Sequence, residues 1–320
     1  MSPLDVITRN QVQTRNHWVA EIERIVVDQR REARNAAAFR NHSDTLEETL
    51  EAEIAHEIAE EGRAKLLGHL RLCGSIPERY GHDTTEEKLY SKYTDIVIAK
   101  TFSAMGIQSL VLRERADAAD VECVSERLQF VADAKAFRLS RTAKNQKDFK
   151  IDAMHGWKRG KPHAVVVCPI YQLPTRTSQI YSKAGQRNVC ILSYSHLAVL
   201  LQIAVNEGTQ ESQLTLADIL ASVDAMNPST SAVDYWQQVN RAMLRHGQKV
   251  VELWCKEKIA SNESIILAKE EALTFLADER ARIMLLTRDE AIREVIMSAK
   301  ISNREAAIRT VTDNGLFGIA

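Results

Sequence analysis

No apolar run in these 320 residues approaches the roughly 20 residues that a bilayer crossing takes. The longest, such as Ala164 to Val167 and Leu197 to Leu201, suit buried strands and helices, so no membrane span is expected. Proline and glycine are scarce, at 6 and 12, which argues against long linkers and favours a helix-rich chain. The five cysteines (Cys73, Cys123, Cys168, Cys190, Cys255) form no CxxC pair. That odd, unpatterned set excludes a disulfide framework and reads as reduced thiols in a cytoplasmic protein. Met1-Ser2-Pro3-Leu4-Asp5 lacks a basic end followed by an apolar stretch, so no signal peptide is expected. An excess of one charge is missing too, the net being −1. The sum hides an uneven distribution. Asp44 to Glu61 carries eight acidic residues, whereas Lys135 to Lys150 carries six basic ones against the single acid Asp148, enough for a basic patch.

Several catalytic patterns fail for want of one residue. His56-Glu-x-x-Glu60 begins like a zinc protease helix but lacks the second imidazole. Gly156-x-x-x-Gly160-Lys161 is one residue short of a phosphate-binding loop, and Pro162 stands where a hydroxyl would meet magnesium. No GxSxG or GxGxxG occurs, and the nine histidines show no ligand-like spacing.

What is present is a change of period along the chain. The first 70 residues read as helices: Leu46, Leu50, Ile54 and Ile58 recur every fourth residue, Asp44-x-x-Glu47 resembles a capping box, and Gly62 marks the end. After the break at Cys73-Gly-Ser-Ile-Pro77, a helix is expected over Thr85 to Phe102, with Leu89, Tyr93, Ile96 and Val97 buried. Strand-length runs follow at Ile107 to Leu112, Val121 to Val124, Leu128 to Ala132, Ala164 to Cys168 and Val189 to Leu192. Between the third and fourth, Ser140 to Trp157 reads as a helix with Phe149, Ala153 and Trp157 on one face; another spans Ser195 to Val205. The expected order is helix, three strands, helix, strand, strand, helix. Beyond the loop at Asn227-Pro-Ser-Thr-Ser231, the chain reads as helical from Tyr235 to about Ala307. The expected architecture is α/β: a mixed central sheet over residues 84–206, flanked by helices, with helical regions at 1–83 and 207–320, expected to form one compact domain.

Phosphodiester hydrolysis needs a hard divalent cation, carboxylates to hold it, and a cation or base near the attacking water. Three acid-x-Lys triplets occur: Glu86-x-Lys88, Asp133-x-Lys135 and Asp148-x-Lys150. The first and third lie in helical patterns, where residues i and i+2 do not face each other. In the second, at a strand end, the two side chains project into one space with Ala134 turned aside. Asp120, at the start of the preceding strand, could join them. The plain alternative is an ordinary ion pair at a strand end.

Val131-Ala-Asp-Ala-Lys135, followed by Phe137-Arg-Leu-Ser-Arg-Thr-Ala-Lys-Asn-Gln-Lys-Asp-Phe-Lys150, resembles the catalytic and recognition segment of the HindIII-type restriction endonucleases, a family of PD-(D/E)xK nucleases. Glu87-Lys-Leu-Tyr-Ser-Lys92, Asp95-Ile-Val-x-Ala-Lys100, Ser178-Gln-Ile and His196-Leu-Ala-x-Leu-Leu-Gln202 resemble flanking segments. The likeness covers residues 84 to 206, and the usual proline before the first acid is replaced by Ala119. The resemblance implies a PD-(D/E)xK core and Mg2+-dependent cleavage of double-stranded DNA, with Asp120, Asp133 and the Ala134 carbonyl at the metal and Lys135 as the catalytic lysine. Glu87 could assist. DNA reading falls to the segment after the triplet, where a helix carrying Lys144, Asn145, Gln146, Lys147 and Asp148 would enter the major groove. Arg138 and Arg141 would contact phosphates. The resemblance also implies a palindromic target, AAGCTT, a homodimer contacting through the helical ends, and a cognate DNA methyltransferase. A repair or junction nuclease on the same core, or a silent DNA-binding module, are the other readings.

Overall fold

The computed structural model describes residues 4–31, 36–56, 59–112, 118–141, 146–299 and 301–309. Three helices come first: α1 (Arg9–Arg31), α2 (Ala36–Ala55) and α3 (Ala59–Leu72). Gly62 lies inside α3, not at a helix end as its position suggested, because a Cβ there would stand 2.6 Å from the Ile54 carbonyl where α2 and α3 cross. Ile58 lies outside the described residues.

α4 (Thr85–Ala104) starts on Thr84, whose side chain accepts from Glu87 N–H, and Glu86 and Glu87 suit the positive end of the helix. Its middle is buried almost all round, including Tyr90, Tyr93, Thr94, Asp95 and Ile96. Trp18 of α1 stacks on Tyr93 at 6.0 Å between centroids, and His69 of α3 meets the Tyr93 hydroxyl at 2.5 Å. These contacts seat the N-terminal helices on α4.

The sheet follows, as β1 (Gln108–Val111), β2 (Val121–Val124), β3 (Gln129–Ala134), β4 (His163–Cys168) and β5 (Val189–Ser193), in spatial order β1-β2-β3-β4-β5. β1–β2 and β2–β3 pair antiparallel, β3–β4 and β4–β5 parallel. The parallel pairs need crossovers, supplied by α5 (Ile151–Trp157) and α6 (Gln179–Arg187). β4 and β5 are buried at nearly every position, and successive residues face opposite ways, so both faces of the sheet centre are covered. The sheet's five strands match the apolar runs.

Two corrections apply to the helices. α6, which reading by apolar run passed over, separates β4 from β5; its apolar content is low, and Ser178 caps it by accepting from Ile180 N–H. No continuous helix spans 140–157 in the described residues. A 3₁₀ turn covers Gln146–Phe149, Lys150 adopts a left-handed conformation (φ 49°), and α5 begins only at Ile151. Its buried residues are Ile151 and Met154, not Ala153 and Trp157.

α7 (Tyr194–Asn206), α8 (Thr209–Asp224), α9 (Ala232–Leu244) and the part of α10 (Gln248–Met284) up to Glu270 complete the larger body. Two carboxylates of α10 tie it down. Glu257 pairs with Arg71 at 2.5 Å, both buried, and accepts from Gln202 at 2.8 Å. Glu263 accepts the backbone N–H groups of Asp5, Val6 and Ile7 at 2.6–3.2 Å. The chain divides into two compact units, Met1–Glu270 and Glu271–Ala320. The second contains α11 (Arg288–Ser298), capped by a Thr287–Glu290 box, and α12 (Ile301–Arg309). No described helix is long and apolar enough to cross a membrane.

Candidate active site

β2 and β3 run side by side only as far as Val121 opposite Ala132. Asp120, the next residue, stays with β1, its carbonyl accepting from Leu112 N–H at 2.8 Å. β3 instead continues along β4, through Asp133 opposite Val166 and Ala134 opposite Val167. The strands part between the two acids, and a cleft opens there.

Side chains two apart on a strand share a face, and Lys135 Nζ donates to Asp133 Oδ2 at 2.5 Å. The Lys135 backbone is fixed on both sides: its N–H donates to the Val167 carbonyl at 2.8 Å, and its carbonyl accepts from the Tyr194 hydroxyl at 3.0 Å. Ala134 N–H then points away from β4, past the end of the β2 ladder, where no strand meets it. Asp95 of α4 takes it, with Oδ1 at 3.3 Å.

Asp95 is thereby the third acid of the site. Asp95, Asp120 and Asp133 each offer a carboxylate oxygen, all within 4.8 Å of one another. Asp95 and Asp133 are buried, at 5% and 1% exposure. Burial, then the charges of Asp120 and Asp133, push the Asp95 carboxyl well above its usual range. Burial and the Asp133 charge raise Asp120 to about 6. Burial alone would lower Lys135, but the Asp133 carboxylate, with Asp120 and Asp95 behind it, outweighs that and raises it.

Three crowded carboxylates under little water need a cation or protons. Asp133 Oδ1 is buried without a hydrogen-bond partner, against the general rule that buried polar atoms are paired. An all-oxygen donor set with one unspent lone pair suits a hard divalent cation. The residues therefore fit a metal, held by Asp120, Asp133 and Asp95. Ala134 lines the same cleft.

The remaining expected residues fall into three groups. Glu87 lines the cleft two turns before Asp95, but its carboxylate is engaged by Arg138 at 3.0 Å and by Asp83 N–H at 2.6 Å. Arg138 also donates to the Tyr80 carbonyl at 2.5 Å, which turns it inward. Arg141 lies over the Phe137 ring at 4.6 Å and pairs with Asp148 at 2.6 Å, both at the cleft wall. Lys144 and Asn145 lie outside the described residues; of Gln146 and Lys147 only the backbone, in the 3₁₀ turn, is described. Where a major-groove α-helix running through Asp148 was expected, Gln146–Phe149 forms a 3₁₀ turn.

A sequence profile of the HindIII restriction endonuclease family matches residues 16–312, nearly the whole chain. The chain belongs to the HindIII restriction endonuclease family. One relative, the type II restriction enzyme HindIII of Haemophilus influenzae, is 33% identical over 265 residues, covering 79% of this chain and 86% of its own. Membership of a restriction endonuclease family makes the chain a deoxyribonuclease, and the mixed sheet with its flanking helices is the α/β core such an enzyme requires. All three acids and Lys135 lie within the matched span.

Asp95 is the residue that reading for triplets missed in this restriction endonuclease. Its signal was present: one acid, Asp95, stands in the otherwise uncharged Tyr93–Ala99 of a helix whose stripe is buried. Acids are almost never fully buried without a partner, so that exception marked a site.

Proposed function

We propose that this chain is a Mg2+-dependent type II restriction endonuclease that cuts both strands of duplex DNA at AAGCTT, after the first A, leaving four-base 5′ ends. The observation that carries the nuclease reading is the buried cluster of Asp95, Asp120 and Asp133 beside Lys135, with Asp133 Oδ1 unsatisfied. Mg2+ is preferred among hard cations because it keeps waters and binds through a few carboxylates plus phosphate oxygens.

When bound, the cation neutralises the carboxylates and stabilises charge on the phosphate. The chain's own part is positional. Asp120 and Asp133, from parting strands, would hold the metal together with Asp95 and the Ala134 carbonyl. Lys135 presents its ammonium to the phosphate or to the attacking water. Water attacks phosphorus in line, the bond to the 3′ oxygen breaks, and the products are a 5′-phosphate and a 3′-hydroxyl.

The target follows from the reading segment. Specificity rests on the few side chains that reach base edges, each bidentate contact discriminating by roughly 1–3 kcal/mol. Arg138 to Lys150 keeps the family pattern through a highly charged stretch, which drift would not spare. The nuclease core is assigned to residues 84–206. A palindromic target read by one chain type calls for a twofold homodimer. It also calls for a DNA methyltransferase that protects the host, in the same cytoplasmic compartment.

Digestion of a long unmodified plasmid with Mg2+, followed by sequencing of the ends, tests this. Discrete fragments ending in AAGCTT half-sites are expected. Fragments with other ends overturn the target, nicks confined to distorted DNA indicate a repair nuclease, and no cutting indicates a binding module.

A further inference from the structure

The cleft is walled by cations as well as acids, and most of those cations are already paired. Lys88 pairs with Asp83 at 2.9 Å, Lys135 with Asp133, and Arg141 with Asp148. Two are not. Lys92 of α4 donates only to the Leu112 carbonyl, at 3.3 Å, and Lys150 has its Nζ over the Trp157 ring, 5.3 Å from the centroid. Among the described residues neither has a carboxylate partner. Both nevertheless line the cleft, and their charges are felt inside it, Lys92 by Asp95 and Lys150 by Asp120.

Lys150 adds a second, independent observation. It stands in the left-handed region (φ 49°, ψ 31°), a conformation that costs a residue with a Cβ and that glycine would adopt freely. Strain of this kind collects at functional positions. Here it ends the 3₁₀ turn and opens α5. A lysine at a position that favours glycine, on the rim of a nuclease cleft and without a carboxylate partner among the described residues, serves an anion from outside.

We propose that Lys150 and Lys92 are phosphate-binding residues that seat the DNA backbone beside the phosphate to be cut. This rests on the nuclease reading, since it takes DNA as the anion. Phosphate contacts position a duplex without reading its sequence. Each neutralised phosphate contributes about 0.9 to the slope of log K against log salt, so one lost contact weakens binding about fivefold near 0.15 M salt.

The test is fluorescence anisotropy of a labelled 20-base-pair duplex lacking AAGCTT, in EDTA, over a KCl series. Full-length wild type, Lys92→Gln, Lys150→Gln, Lys150→Gly and Lys150→Arg are compared. Lys161→Gln is the control, because Lys161 pairs with Glu122. Lys92→Gln, Lys150→Gln and Lys150→Gly should each lose about 0.9 from the slope, with Lys150→Arg and Lys161→Gln near wild type. Lys150→Gly relieves the strain, so it should keep or raise the melting temperature while weakening DNA binding, which a structural role would not do. Wild-type slopes in Lys92→Gln and Lys150→Gly would overturn the proposal. Loss of slope with no plasmid cutting by wild type would leave the phosphate contacts standing and remove the nuclease reading instead.

Discussion

Asp95 does two things at once, and a single atom separates them. Its Oδ1 accepts from Ala134 N–H, and its negative charge adds to those of Asp120 and Asp133. Asp95→Asn keeps an acceptor for Ala134 and removes the charge, whereas Asp95→Ala removes both. Plasmid cleavage at limiting Mg2+ should fall about 10–100-fold in Asp95→Asn, as for groups that tune a metal site, and recover partly at higher Mg2+. Recovery to wild type at every concentration would leave Asp95 as a backbone cap alone. Asp133→Ala or Lys135→Ala should lower cleavage by about 10²–10³-fold or more while leaving DNA binding largely intact. A triplet variant that cuts at near the wild-type rate would sink the assignment. The same crowding sets a pH dependence. Asp120 is raised from 3.8 to about 6, mainly by burial and by Asp133. A carboxyl raised in the folded state favours folding while protonated, so its contribution is full below about pH 4 and is lost as pH rises through about 6. The loss is on the order of 3 kcal/mol. Metal-free protein should therefore melt lower at pH 7.5 than at pH 5 from this source. Added Mg2+ should raise the melting temperature more at pH 7.5, because protons compete with it at pH 5. Calorimetry with and without Mg2+ at the two pH values checks both signs.

At the scale of elements, legibility followed burial. All five strands were readable as short apolar runs, and β4 and β5 most clearly, because their continuous Val- and Ile-rich runs fit a sheet covered on both faces. α4 was readable to within two residues from its buried stripe. α6 was not, since its buried residues Ile180, Tyr181, Ala184 and Gly185 include only two large apolar ones. The break at Lys150 was also invisible, because nothing in the residue type announces a left-handed lysine. Of the site, Asp133 and Lys135 followed from strand geometry. Asp95 did not, because it meets them from another element, 39 residues away from Ala134. Long-range ties of the same kind hold α10. Glu257 and Arg71 are both nearly inaccessible, at 1% and 5% side-chain exposure, and lie 186 residues apart. Removing one partner of such a pair strands a buried charge. Glu257→Ala should cost about 3–5 kcal/mol of stability. A double Glu257→Leu, Arg71→Met change, which leaves no charge behind, should cost less than the single one. Urea unfolding of the three proteins decides it, and a double variant as weak as the single would show that the pair itself was the stabilising element.

At the scale of the whole molecule, the count of sites meets the geometry of the substrate. Among the described residues one chain offers one carboxylate cluster. Duplex DNA offers two scissile phosphates on strands of opposite polarity, and one site fixed in a chain can address only one of them in a given pose. Cutting both strands symmetrically within the proposed AAGCTT would then require two copies related by the twofold axis of that target. The purified protein should sediment at about twice 36.0 kDa, and its DNA complex should hold two chains. A sharper form of the test separates assembly from catalysis. Differently tagged wild-type and Asp133→Ala chains, co-expressed and purified through both tags, give dimers with one competent site. Each copy takes its strand independently, so such a dimer should convert supercoiled plasmid to nicked circles at roughly half the wild-type rate of first-strand cleavage. Linear product should appear only slowly, after release and rebinding in the opposite orientation. Prompt linearisation by the mixed dimer would mean that one site serves both strands, and the twofold reading would fall with it.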